Sequence, residues 1–98
     1  MIEHLARITW SDQYVRLGLP TFGETIDPAW VEDGKHVAPE GWSLVCKFDV
    51  PPSIQGSPSQ ARVRFYVSEA PHDILRPGAR LRLFERGTTE CAQVEILE

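Results

Sequence analysis

The last part of this chain, from Ala61 to Glu98, consists of short segments in which apolar and polar residues alternate between turn sequences. Two of these segments flank Leu75-Arg76-Pro77-Gly78, and a third follows Glu85-Arg86-Gly87. A period of two places successive side chains on opposite faces of a strand, and turns that contain Pro and Gly join such strands. The pattern predicts consecutive antiparallel strands and therefore an all-β fold.

Two earlier segments alternate in the same way, Leu5–Trp10 and Trp42–Val50, and the even-numbered residues form the apolar face of both. Gln13–Leu17 either continues the first strand or pairs with it, whereas Pro71–Leu75 resembles a single helical turn. No segment has a sustained helical period. Five or six strands at these spacings indicate a small antiparallel barrel or sandwich that occupies residues 1–98 as one domain.

A long acidic loop is predicted at about residues 18–41, with at most one short strand around Ala29–Val31. The loop is rich in Gly and Pro and has five carboxylates between Glu24 and Glu40, with only Lys35 to offset them. Loops of this length in a compact domain usually have a binding function or are mobile. Trp30 lies beside Glu32 and Asp33, so an aromatic anchor is combined with charge of a single sign.

The segment from Arg62 to Arg86 is basic, with six arginines against three carboxylates, although the whole chain has a net charge of -4. We expect the arginines at 62, 64, 80 and 82 on the outward faces of adjoining strands, with Tyr66 nearby. Such a face suits RNA contact or cross-strand ion pairs with Glu85, Glu90 and Glu95. The isoelectric point near 5.3 disfavours a general phosphate binder.

No pattern for catalysis, metal binding or a cofactor is found. The three histidines and two cysteines have no metal-ligand spacing, and Ser68 and Cys46 have no nucleophile motif around them. The alternation places Cys46 on the inner face and Cys91 on the outer face, so we expect two free thiols. The N-terminus has no signal-peptide pattern, which predicts a cytoplasmic protein.

The run ARVRFYVSEAPHDILRPGARLRLFERGTTECAQVEIL resembles the end of the C-terminal β-barrel domain of translation elongation factor Tu. The whole chain is more similar to small stand-alone bacterial proteins that consist of that barrel alone and open with a strand like Met1–Ile8. The resemblance implies a barrel that binds and does not hydrolyse GTP, since no Gly-rich phosphate loop is present. It also implies possible contact with the tRNA acceptor arm, which in the factor is shared with other domains. The chain departs from the factor in the order of Tyr14–Phe22 and in having larger residues at Glu90–Gln93.

These observations predict a non-catalytic bacterial module that acts through protein–protein contacts. One alternative is an immunity-type protein that neutralises a toxin, with a basic toxin as partner, and another is an RNA-contacting accessory module. The predicted partner-binding residues are Trp30, Glu32, Asp33, Arg62, Arg64 and Arg82, with the acidic loop ranked ahead of the arginines.

Overall fold

The computed structural model describes residues 2–31, 42–85 and 89–98, and within them six strands form a closed antiparallel barrel. The strands in chain order are β1 His4–Trp10, β2 Glu24–Val31, β3 Trp42–Lys47, β4 Ser59–Phe65, β5 Arg80–Glu85 and β6 Thr89–Ile96. Around the barrel the order is β1-β4-β3-β2-β5-β6, with β6 pairing again with β1. The all-β fold class and the barrel are therefore confirmed.

We call the end where β1, β3 and β5 finish the upper end of the barrel, and the opposite end the lower end. The inner face is filled by aliphatic and aromatic side chains, because each strand alternates with a period of two. Its residues that are no more than 1% exposed include Ile8, Leu44, Val63, Phe65, Leu81, Leu83, Val94 and Ile96. Trp10 and Phe48 close part of the upper end, with ring centroids 6.3 Å apart.

The connection from β4 to β5 covers the lower end. It contains a single 3₁₀ turn at His72–Ile74, as predicted, and buries Ala70 and Leu75 beneath the core. Gly78 adopts a φ of 90°, a conformation that residues with a Cβ rarely adopt, at the turn that enters β5. Because β4 and β5 are not neighbours, this connection is a crossing between two sides of the barrel and not a hairpin.

The prediction that Gln13–Leu17 forms or pairs with a strand is wrong, because the structure has helix α1 at Asp12–Leu17. The Ser11 side chain accepts a hydrogen bond from the Tyr14 backbone N–H, which caps the helix, and Gly18 ends it. A second short helix, α2 Pro52–Gln55, follows the diproline. None of the described helices is long and apolar enough to cross a membrane.

The prediction of a loop at about 18–41 needs correction at residues 24–31, where β2 has eight residues and not the three around Ala29–Val31. β2 pairs with β3 from Glu24↔Lys47 to Ala29↔Trp42, so backbone pairing overrides the low strand propensity of the Asp27-Pro28 dipeptide. Residues 18–23 lie outside helices and strands, as predicted, and residues 32–41 of the predicted loop lie outside the described residues.

The placement of Cys91 on the outer face is also wrong, since Cys91 is buried next to the buried Ala92. The cause is an irregularity in the β5–β6 ladder, where Leu83 pairs with Ala92 but Phe84 pairs with Glu90. An extra residue in one strand shifts the alternation, so two consecutive side chains face the interior. Cys46 is buried as predicted, and both cysteines are free.

Candidate functional site

The structure separates the arginines that the sequence suggested as one face. Arg62 and Arg64 lie on β4, whereas Arg82 lies on β5, and in the closed order two strands stand between β4 and β5 in either direction. The prediction of adjoining strands is therefore wrong. Proximity in sequence suggested a hairpin, but the connection across the lower end carries β5 to the opposite side of the barrel.

Carboxylates accompany the arginines on both sides. Arg62 Nη2 lies 2.8 Å from Asp49, and on the neighbouring strand β1 Arg7 Nη1 lies 2.9 Å from Glu95. Arg82 makes a bidentate pair with Glu90, with Nε and Nη2 each 2.8 Å from a carboxylate oxygen. This pair is the main reason that the pKa of Glu90 lies below its usual value. Two of the expected cross-strand ion pairs are present, Arg82–Glu90 and Arg80–Glu95, the second with Nη2 4.0 Å from a carboxylate oxygen, and they reduce the positive charge that RNA would meet.

Trp30 and Arg82, two of the predicted binding residues, are brought together by the β2–β5 ladder, in which they are direct partners. The Trp30 and Phe84 rings make a T-shaped contact, with centroids 6.4 Å apart and planes at 88°. The Arg82 guanidinium carbon lies 5.6 Å from the centre of the same Phe84 ring, within cation–π range. We call Trp30, Arg82 and Phe84 the tryptophan cluster.

Beyond Glu24, the outward row of β2 is apolar, which is unusual for the solvent side of a small barrel. Ile26 is 49% exposed, Pro28 and Trp30 follow it at the period of two, and Phe22 just before the strand is 69% exposed. Exposed apolar side chains that adjoin one another commonly mark an interaction surface. We call Phe22, Ile26, Pro28 and Trp30 the apolar strip. Glu32 and Asp33, predicted as partner-binding residues beside Trp30, lie outside the described residues.

A cleft of about 410 Å³ opens at the upper end of the barrel, between the first half of β2, α1 and the end of β5. Three aromatic residues line it, Trp10, Tyr14 and Phe22. Trp10 forms a buried floor, because its indole Nε1–H donates to Ser59 Oγ at 3.0 Å, and the Tyr14 ring lies 6.3 Å from it. The cleft therefore has rigid aromatic walls on one side.

The other walls of the cleft are acidic. Glu24 and Asp27 from β2 and Glu85 from β5 line it, together with Thr25 and Cys91. The Tyr14 hydroxyl donates a hydrogen bond to Glu85, which fixes that carboxylate at the opening. No arginine, lysine or histidine is among the described residues that line the cleft.

Burial shifts the pKa values of three titratable groups in and below the cleft. Burial raises the pKa of Asp27 above its usual value. Burial also raises the pKa of Cys46 to about 12, and burial together with the charge of Asp27 raises the pKa of Cys91 to about 12. A thiol with such a pKa is a poor nucleophile. The cysteines are suited to packing, and Cys91 Sγ donates weakly to the Leu83 carbonyl at 3.5 Å.

In the part of the chain that the structure describes, no group of three His, Cys, Asp or Glu side chains could hold a metal ion. The acidic cleft was missed by sequence reasoning because its residues come from six separate elements or connections. The alternation of Thr25 and Asp27 with Ile26 and Pro28 gave the opposite signal, because it favours the apolar pair on the inner face.

Comparison with known proteins gives no relative: no family model, curated protein or solved structure matches this chain.

Proposed function

We propose that the chain is a non-catalytic protein-binding module that contacts its partner through the tryptophan cluster and the apolar strip. The apolar outward row of β2 is the single observation that carries this proposal. On a barrel whose inner face is already filled, side chains such as Phe22 and Ile26 gain nothing from exposure to water. A partner that covers them would supply the missing burial.

The composition of the tryptophan cluster supports the same conclusion. Trp and Arg are the residues most enriched among the side chains that dominate binding energy at protein interfaces. Trp30 is half-buried against Phe84, so its ring is held in place before a partner arrives and little conformational entropy is lost on binding. The Arg82–Glu90 pair at the edge of the cluster supplies polar groups of the kind that surround an interface centre.

The finer identity of the module also belongs to this proposal. A closed antiparallel barrel agrees with the resemblance to the C-terminal barrel of elongation factor Tu and to stand-alone bacterial barrels of that kind. An immunity-type role, in which the partner is a basic toxin, is favoured by one specific observation, the three carboxylates of the upper cleft. An RNA-contacting role is supported less, because the arginines lie on opposite sides and have acidic neighbours.

The test is affinity capture from a native lysate with the wild-type chain, Trp30→Ala and Tyr66→Ala. Tyr66 is 57% exposed and follows β4, so its variant is a matched control for loss of an exposed aromatic ring away from the tryptophan cluster. We expect Trp30→Ala to lose the captured protein, Tyr66→Ala to retain it, and nuclease treatment to change neither result. Melting curves of both variants would show that they remain folded.

Two outcomes would contradict the proposal. One is capture that disappears after nuclease treatment. The other is capture that survives Trp30→Ala but is abolished by Arg62→Glu with Arg64→Glu, which would move the binding surface to β4.

A further inference from the structure

We propose that the cleft at the upper end of the barrel is a binding site for an organic cation, a guanidinium or alkylammonium group. This site is distinct from the tryptophan cluster, although Phe22 and Ile26 of the apolar strip also line the cleft. It does not depend on the proposed protein-binding function.

The shape of the cleft fits a small ligand. Its volume of about 410 Å³ falls in the range of small-molecule sites, which is about 300–1,000 Å³. The floor is rigid, since Trp10 is only 5% exposed and is held by its hydrogen bond to Ser59. Phe22 stands at the rim with 69% of its surface exposed, where it could cover a bound group.

The charge of the cleft selects a cation. Glu24, Asp27 and Glu85 line it from β2 and β5, and Lys47 on the neighbouring strand β3 is the ladder partner of Glu24. The Lys47 ammonium is engaged elsewhere, because Nζ lies 3.0 Å from Glu3. An incoming positive group would therefore meet carboxylates without a competing cation among the described lining residues.

The aromatic walls select an organic cation over a bare metal ion. A guanidinium or alkylammonium group is attracted to the faces of Trp and Tyr rings, and its hydrocarbon part packs against them. A divalent metal would need several oxygen ligands at about 2.0–2.6 Å around one point, and the described residues bring no three acidic, His or Cys side chains together in that way. Carboxylates distributed around aromatic rings therefore suit an organic cation, in which the charged group is attached to a hydrocarbon part.

Two polar groups that line the cleft, the Asp27 carboxylate and the Thr25 hydroxyl, are available to bind a ligand. The Asp27 carboxylate lines the cleft, and its burial raises its pKa. The Thr25 oxygen is buried and makes no hydrogen bond of ordinary geometry with the described residues, although its hydroxyl opposes in part the raised pKa of Cys46. A donor-rich cation, with up to five N–H groups in a guanidinium, could satisfy both.

The test titrates ¹⁵N-labelled protein with butylguanidinium and, separately, with butylurea, which has a similar shape and no charge. We expect saturable amide shifts at residues 24–27, 85 and 91 with butylguanidinium, weakened by added salt, and none with butylurea. A short acetylated Gly-Arg-Gly peptide distinguishes the source of the cation. Binding of the peptide as well indicates an arginine side chain of a protein, whereas binding of butylguanidinium alone indicates a free small molecule.

Variants locate the site. Asp27→Asn should weaken butylguanidinium binding at least tenfold, whereas Asp49→Asn, at a carboxylate whose side chain is 81% exposed on the outer surface, should leave it unchanged. Equal binding of butylurea and butylguanidinium, or the absence of saturable shifts in the wild-type protein, would overturn the proposal without any variant. Retention of full affinity by Asp27→Asn would do the same.

Discussion

Replacing Ser59 with Ala should destabilise the barrel although only one oxygen atom is removed. Ser59 Oγ accepts a hydrogen bond from the buried Trp10 Nε1–H at 3.0 Å and donates to the Gly56 carbonyl at 2.6 Å. Ser59 itself is 1% exposed, so water cannot replace the lost oxygen without rearrangement. A buried donor without a partner costs about 1–3 kcal/mol, and a loss of about 2 kcal/mol would lower the Tm of a domain of this size by about 8–16 °C.

Urea unfolding followed by tryptophan fluorescence measures this loss, and Ser53→Ala is the matched control. Ser53 is exposed on α2, and its replacement should change the free energy of unfolding by no more than about 0.5 kcal/mol. The double variant Trp10→Phe with Ser59→Ala removes both partners, so it should be less destabilised than the sum of the two single variants. Additive losses, or a Ser59→Ala variant as stable as Ser53→Ala, would refute the assigned hydrogen bond.

Three further outcomes are expected. Phe65→Ala, at a ring that is 1% exposed, should cost about 3–5 kcal/mol in urea unfolding, whereas Phe22→Ala at the rim should cost little; similar losses would show that the inner and outer assignments are wrong. Cys46 and Cys91 should react with a thiol reagent at pH 8 only after denaturant is added, because their pKa values are raised to about 12; fast reaction in the folded state would contradict this. The pKa of Asp27 is higher in the folded than in the unfolded chain, so this group stabilises the fold below the unfolded pKa, and that stabilisation is lost as pH rises through the folded pKa. Asp27→Asn should therefore be more stable than wild type at pH 7, and its free energy of unfolding should increase less on acidification. Parallel curves of stability against pH for the two proteins would argue against a buried carboxylate.

The inner rows of the strands could be predicted from the sequence, and the pairing of the strands could not. Ala61, Val63 and Phe65 alternate with exposed or half-buried residues and are buried as expected, because a strand has a fixed period of two. The partners of β4 are β1 and β3, which are distant in the chain, and nothing within the segment itself specifies them. The incorrect prediction that the arginines of β4 and β5 lie on adjoining strands arose because the strand pairing was unknown.

Local exceptions to alternation were a second source of error. Trp42 and Val50 were assigned to the inner face but are 37% and 44% exposed, since they lie at and beyond the ends of β3. Val45 was assigned outward but is fully buried between its ladder partners Ile26 and Arg64. The irregularity that turns Cys91 inward depends on how two strands meet, so one strand alone cannot reveal it.

Of the candidate site, the sequence identified Trp30 and Arg82 as separate binding residues but gave no reason to expect that they are ladder partners. The acidic cleft was not predicted, because Tyr14, Asp27 and Glu85 come from distant segments that converge only when the barrel closes. Residue types alone can suggest a binding function. A cleft that is formed by several elements can be recognised only when the arrangement of those elements in space is known.

The position of β1 has a consequence for the kinetics of folding. β1 pairs with β4 on one side and with β6 on the other, and the second ladder joins Ala6 to Ile96. The barrel therefore cannot close until its first and last strands meet, which requires a contact that spans almost the entire sequence. Proteins dominated by such distant contacts fold slowly, in milliseconds to seconds. Until closure, the free edge of β1 or β6 can pair with another chain, so dilute conditions should improve the yield of refolding.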